Sequence, residues 1–167
     1  MDPATKKTVL RMIPYGIYVM TAKGADGHLT AATVNFVTQT SFAPPLIVVG
    51  VKVDSGCHLA AKESGQFALN MLGKGQQGAA FAFFKPAEVE DGKLSGEPFR
   101  PGENGAPIID SAIAAVECKV SEIAAVGDHH VIIGEVTQVH LHKHPEGRPD
   151  AAILEMKDLG ENVFYGG

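Results

Sequence analysis

No run of basic residues in this chain is longer than the Lys6-Lys7 pair, and the formal net charge is −5. A nucleic-acid backbone is gripped by clustered Lys and Arg, so that class of partner is set aside. There is also no apolar stretch of membrane-span length, and the segment from Met1 to Lys7 runs into Arg11 and Pro14, not into the apolar core of a signal peptide. No membrane partner is expected, and the expected location is the cytoplasm. Cysteine is scarce. Cys57 and Cys118 stand far apart, in neither a Cys-x-x-Cys nor a zinc spacing, as reduced thiols of a cytosolic protein would. Internal repeats and low-complexity tracts are missing too. What remains is 45% apolar and 20% charged residues in 167 positions, enough for one core and too little for two, so residues 1–167 are read as a single domain.

The segment from Ile17 to Val51 is rich in Val, Ile, Thr and Phe, and is broken at Lys23-Gly24-Ala25-Asp26-Gly27 and at Ala43-Pro44-Pro45. That pattern predicts a hairpin, Ile17 to Ala22 and about His28 to Asn35, followed by further strands. Leu46 to Val51 is a continuous apolar run of the fully buried strand type. Ser55 is a plausible N-cap for a short helix from Gly56 to Glu63, and Gln66 to Leu72 reads as another strand. Gln76 to Phe84 has helical composition up to Pro86. Between Lys85 and Pro107 prolines and glycines are too frequent for regular structure, which predicts a long surface excursion of the kind that covers a site. Strand signals return in Ala112 to Val126 and His130 to His142, joined tightly through Gly127-Asp128-His129, with a last short strand near Ala152 to Met156. Many strands and few helices argue for a closed or nearly closed barrel with helices at its openings.

Gly73-Lys74-Gly75-Gln76-Gln77-Gly78 matches Gly-x-Gly-x-x-Gly between a predicted strand and a predicted helix. A dinucleotide fold also needs a second parallel strand after that helix. Here the breaker-rich excursion follows, so the glycines are read as loosening a strand-to-helix turn.

Three segments together resemble the flavin reductase-like family of FMN-binding split barrels. They are Thr30 to Ile47 with its Pro44-Pro45, Ser64 to Leu72 followed by Gln76-Gln77 and Phe81, and Gly127-Asp128-His129 leading into Gly134-Glu135-Val136. The resemblance implies a mainly β split barrel of Greek-key type with a few short helices at the barrel ends. It also implies non-covalent FMN, NAD(P)H as reductant, and a homodimer with FMN near the subunit boundary. Phe164 and Tyr165 are candidates for that contact; packing back onto their own barrel is the alternative.

An isoalloxazine ring needs an apolar slot and a row of backbone amides along its pyrimidine edge, where charge accumulates on reduction. Ala32, Thr33, Val34 and Asn35 suit that demand, with Thr33 and Asn35 able to bond ring heteroatoms and Val37, Thr38 and Gln39 offering main-chain donors. The phosphate needs concentrated N–H groups and a cation, which the stretch after Gly50 and Val51 offers in Lys52, Ser55, Cys57 and His58 at a helix start. Asp54 should then point away. Phe81 completes the candidate cofactor contacts. His129 is the candidate catalytic residue, in a positioning role on the face where nicotinamide would stack, because hydride transfer needs no protein acid or base.

His140, His142 and His144 alternate on one predicted strand face, a spacing that suits either a divalent metal or a solvated strand end. No resident metal is expected, since acidic and thiol ligands are not at hand. Two roles stay open. One is an NAD(P)H-dependent flavin or ferric reductase that passes electrons to an acceptor or a redox partner protein. The other is a flavoredoxin-like carrier with tightly held FMN and little NAD(P)H activity of its own.

Overall fold

The computed structural model describes residues 1–167. Its main sheet is built from β1 (Tyr18–Lys23), β2 (Leu29–Val34), β3 (Val37–Phe42), β4 (Pro45–Lys52), β5 (Gln66–Met71), β10 (Ala114–Ala124) and β11 (His129–Leu141). The spatial order is β2-β1-β5-β10-β11-β4-β3, and every neighbouring pair is antiparallel. β5 thus returns beside β1 after the excursion through β2, β3 and β4, which is Greek-key order. The sheet curls without closing. β2 and β3 are its two edges, joined in sequence through Asn35 and Phe36, and the gap between them is the split of a split barrel.

Alternation along the strands decides the interior. Met20, Val49, Phe67, Leu69, Cys118 and Ile132 meet inside the curl, and α2 (Gly56–Ser64) closes one end with Cys57, Ala60 and Ala61. Gly134 is required there, because a Cβ at this position would lie 2.6 Å from the Phe67 ring. On the outer side of β1 a second core gathers Ile17, Val19, Leu72, Phe83 and Ile109. β1 and β5 are therefore buried on both faces. β4 was the strand whose apolar run predicted that state, yet it alternates between buried Ile47, Val49, Val51 and half-covered residues, since no second layer covers its outer face.

Two further expectations are corrected. The segment after Lys85 is ordered into a small antiparallel sheet of β6 (Val89–Glu90), β7 (Lys93–Leu94), β8 (Glu97–Pro101) and β9 (Pro107–Ile109). Its glycines sit at turns, Gly92, Gly96 and Gly105 having φ of 72°, 84° and 85°, which leaves short strands between them. The stretch from Ala152 to Met156 forms only isolated bridges, Gly16 to Glu155 and Gly73 to Ile153, between the short helix α4 (Pro149–Ala152) and a 3₁₀ turn (Met156–Leu159). An additional helix, α1 (Pro3–Leu10), starts at Asp2, whose carboxylate caps Thr5 N–H at 2.7 Å, with proline in the first turn. It buries none of its residues. After Gly75, α3 (Gln77–Ala82) is followed by no parallel strand, so the glycine fingerprint opens no dinucleotide fold. No helix is long and apolar enough to cross a membrane.

Candidate functional site

Beside the split, the free edge of β2 borders a cleft of about 360 Å³. Thr33 fixes its geometry. Its N–H donates to Phe83 O at 3.1 Å and its hydroxyl to Ala80 O at 2.6 Å, which pins the end of α3 against β2. Alternate amides of an antiparallel strand face opposite edges, so the Thr33 set points away from β1 toward the cleft. The apolar wall consists of Ile17, Val34, Phe83, Phe84 and Met156, and the polar wall of Thr33, Asn35, Lys52 and Ser55. A narrower recess of about 50 Å³ adjoins it, lined by the same β2 residues together with Gly50, Val51 and His129. Gly50 admits Phe36 over the strand, since a Cβ there would stand 2.9 Å from Phe36 Cβ, and its N–H donates to Phe36 O at 2.8 Å.

Nine candidates from the sequence are thus gathered at one place: Ala32, Thr33, Val34, Asn35, Gly50, Val51, Lys52, Ser55 and His129. The others are not. Val37, Thr38 and Gln39 lie in register with Val49, Val48 and Ile47 of β4 and line a different, apolar groove of about 330 Å³ with Tyr18, Leu46 and Val136. The Val37 N–H is already committed to Asn35 O at 3.0 Å. Of the residues read as a ring-edge segment, only Ala32–Asn35 line the cleft. Cys57 is buried with its thiol on Met20 O at 3.4 Å, and burial pushes that thiol up to about 12. His58 pairs with His130, Nε2 to Nδ1 at 2.9 Å, outside the cleft lining. Burial first, then the neighbouring His130 and Lys62, holds the His58 imidazole below its ordinary value. Phe81 is half-exposed and reaches the cleft only through Phe84, ring centroids 5.3 Å apart.

At the corner of Lys52 and Ser55, Asp54 lines neither the cleft nor its recess but holds the lysine. It accepts from Lys52 Nζ at 3.0 Å, and this hydrogen bond and charge raise the Lys52 pKa. Ser55 Oγ caps α2 by accepting from His58 N–H at 3.2 Å, leaving its own O–H to donate.

His129 is held on both sides. Nδ1 meets Asp128 Oδ1 at 2.9 Å and Nε2 meets the Tyr165 hydroxyl at 2.7 Å. Asp128 lies below the usual carboxylate range, first because of that hydrogen bond to His129 and then because of its charge. Tyr165 carries a second contact, its carbonyl accepting from Asn35 Nδ2 at 3.0 Å. Tyr165, Phe84, Phe83, Met156 and Ile17 are cleft residues that motif reading missed. Tyr165 bonds His129 and Asn35 of its own barrel, the alternative left open for it beside a subunit contact.

The alternating histidines do not converge. His140 Nε2 bonds Glu117 Oε1 at 2.8 Å, while His142 bonds Ala112 O through Nδ1 and Arg100 through Nε2, each at 2.8 Å. No group of three or more His, Cys, Asp and Glu residues has metal-holding geometry. The segment from Pro86 to Ile109 packs against β1, β5 and β10 and lines neither the cleft nor its recess. It is no cover for the site.

The chain is 29% identical to a flavin reductase of Pseudomonas putida, across 92% of its own length and 86% of the relative's. It is 32% identical to the flavin-dependent monooxygenase reductase subunit HsaB of Mycobacterium tuberculosis, across 81% and 71%. The solved structure of the Streptomyces globisporus NADH:FAD oxidoreductase SgcE6 superposes with a TM-score of 0.71 at 30% identity, covering 84% of this chain and 80% of that one. The chain spans less than half of two longer matches, 43% of a Rhizobium meliloti relative and 48% of a Sinorhizobium meliloti structure. The family model for the flavin reductase like domain matches residues 10–157, a span that holds every residue lining the cleft except Tyr165, and the chain belongs to the flavin reductase-like family.

Proposed function

We propose that the chain is an NAD(P)H-dependent flavin reductase whose whole length serves as one FMN-binding domain. The observation that carries this reading is the cleft itself, apolar on the Phe83, Phe84 and Met156 side and polar on the Thr33, Asn35, Lys52 and Ser55 side. That division fits a flat ring with a greasy edge, a polar edge and a phosphate. FMN, when bound, accepts a hydride from nicotinamide and hands electrons onward. Asn35 keeps its Oδ1 and one N–H for the ring's polar edge. Lys52 and the Ser55 hydroxyl would meet the phosphate, with Asp54 giving up its hold on Lys52. His129, oriented by Asp128, positions the nicotinamide carboxamide.

Lys52 is half-exposed and already paired, and Ser55 already caps a helix. A phosphate held this lightly favours a flavin that exchanges over one retained permanently, and so favours the reductase over the carrier. Relatives that are reductase subunits of monooxygenases support delivery of reduced flavin to a redox partner protein. A homodimer is supported by the apolar groove along edge strand β3, beside which Phe42 is 90% and Val139 66% exposed. Val37, Thr38 and Gln39 would then approach flavin only from across the boundary. Anaerobic mixing of the FMN-loaded protein with NADH or NADPH tests the reading. Rapid bleaching of the flavin bands is expected, and a yellow protein that neither nucleotide bleaches would contradict it.

A further inference from the structure

Tyr165 stands where the flavin cleft, its recess and a third chamber of about 480 Å³ meet, and it lines all three. The segment around it is held by few contacts. Its hydroxyl bonds His129 Nε2, its carbonyl takes Asn35 Nδ2, and Arg11 Nε reaches Gly166 O at 3.3 Å while its guanidinium lies 4.2 Å from the Phe164 ring centroid. The Tyr165 ring lies edge-on to His129 and tilted against Phe36, with centroids 5.6 and 5.7 Å away. Tyr165 is nonetheless 48% exposed, and α1, on which the segment leans through Arg11, buries nothing.

The two side chains assigned to the flavin's polar edge and to the nicotinamide, Asn35 and His129, are therefore satisfied by one tyrosine. Its planar ring, with a hydrogen-bonding group at one end, offers His129 what a nicotinamide ring with its carboxamide would offer. Resting on the flavin-reductase reading above, we propose that Phe164 to Gly167 form a strap in which Tyr165 occupies the nicotinamide position, so that the strap must lift before a reduced nicotinamide nucleotide can stack. Tyr165 then sets nicotinamide affinity, because only the lifted fraction of molecules is competent to bind. With three hydrogen bonds closing the strap, each contributing a factor of about five, the competent fraction is the minority.

The test uses FMN-loaded protein and NAD⁺, which leaves oxidised flavin unchanged, with affinity read by calorimetry. Deleting residues 164–167, or Tyr165→Ala, is expected to tighten NAD⁺ binding about fivefold or more, and Tyr165→Phe by less. Amide exchange across the strap should speed up when NAD⁺ binds the parent protein. NAD⁺ affinity that is unchanged or weakened in the deletion variant, or slower exchange in the strap on NAD⁺ binding, overturns the proposal. A colourless protein that takes up no FMN would remove the flavin reading and the strap together. A yellow one indifferent to the deletion removes only the strap.

Discussion

Asn70 and Asn35 are both buried asparagines beside β1, 0% and 4% exposed, and their surroundings differ in kind. Asn70 donates to Val19 O at 3.1 Å and Thr21 Oγ1 at 3.3 Å and accepts from Ile109 N–H at 2.8 Å, so β5, β1 and β9 are tied through one side chain. Asn35 has one partner, the carbonyl of a half-exposed tyrosine. The same contrast extends outward. On the side of the small sheet, buried Glu117 accepts from the N–H groups of Glu103 and Asn104 at 3.1 and 2.7 Å and from His140, and Thr21 donates to Pro107 O at 2.6 Å. On the cleft side, Lys52 and His129 are matched only by exposed Asp54 and Asp128 and by Tyr165. Polar groups locked by backbone serve the fold. Those matched by partners that can leave are available to a ligand.

The largest effect expected from this contrast is at Glu117. Glu117→Leu leaves the Glu103 and Asn104 N–H groups and His140 without their buried acceptor and should cost on the order of 3 kcal/mol in urea unfolding, with FMN affinity unchanged. Burial works against the Glu117 charge, but the Asn104 N–H, His140 and the Glu103 N–H outweigh it and hold the pKa below the ordinary value. With the folded pKa depressed, that stabilisation is present above the unfolded carboxylate's pKa of about 4.3 and fades as pH falls through the folded value. Urea midpoints measured from neutral to acid pH should drop in that window, and Glu117→Gln should flatten the drop.

Next in size is the asparagine pair. Asn70→Ala should lower stability by about 2 kcal/mol and Asn35→Ala by under about 1 kcal/mol, while only Asn35→Ala weakens FMN binding. Equal stability losses at the two positions would erase the distinction. Gly134→Ala, by forcing a methyl group into the Phe67 ring, should cost about 1–3 kcal/mol without touching the cleft. The smallest effect falls on Lys52→Gln, expected to weaken FMN about fivefold in a titration, a modest loss because the lysine is solvent-screened, and to leave the unfolding midpoint where it was.

What the sequence disclosed follows the reach of each signal. The strands around Val19, Val49 and Leu69, the helix cap at Ser55 and the turn before His129 are local patterns, and each is in place. The cleft residues from β2 and from Lys52 to Ser55 were accessible for the same reason. Cys57 and His58 were assigned to the site by proximity to Ser55, yet one step along a helix turns a side chain by about 100°, and Cys57 faces the core. Val37 to Gln39 lie away from the cleft because the chain crosses the split at Asn35 and Phe36, a change of surroundings that strand periodicity does not report. Phe84, Met156 and Tyr165 reach the cleft from three distant parts of the chain, and no spacing rule links them. The order after Lys85 was hidden because its glycines and prolines look the same in turns of a small sheet as in an irregular loop.

The central claim is that a flavin lies against Ala32 to Asn35, and a visible difference titration with FMN tests it most directly. Stepwise addition should saturate with resolved flavin bands in the parent protein, and Asn35→Ala and Lys52→Gln should shift the curve to higher concentration. A flat parent titration, or curves identical in all three proteins, would contradict the account.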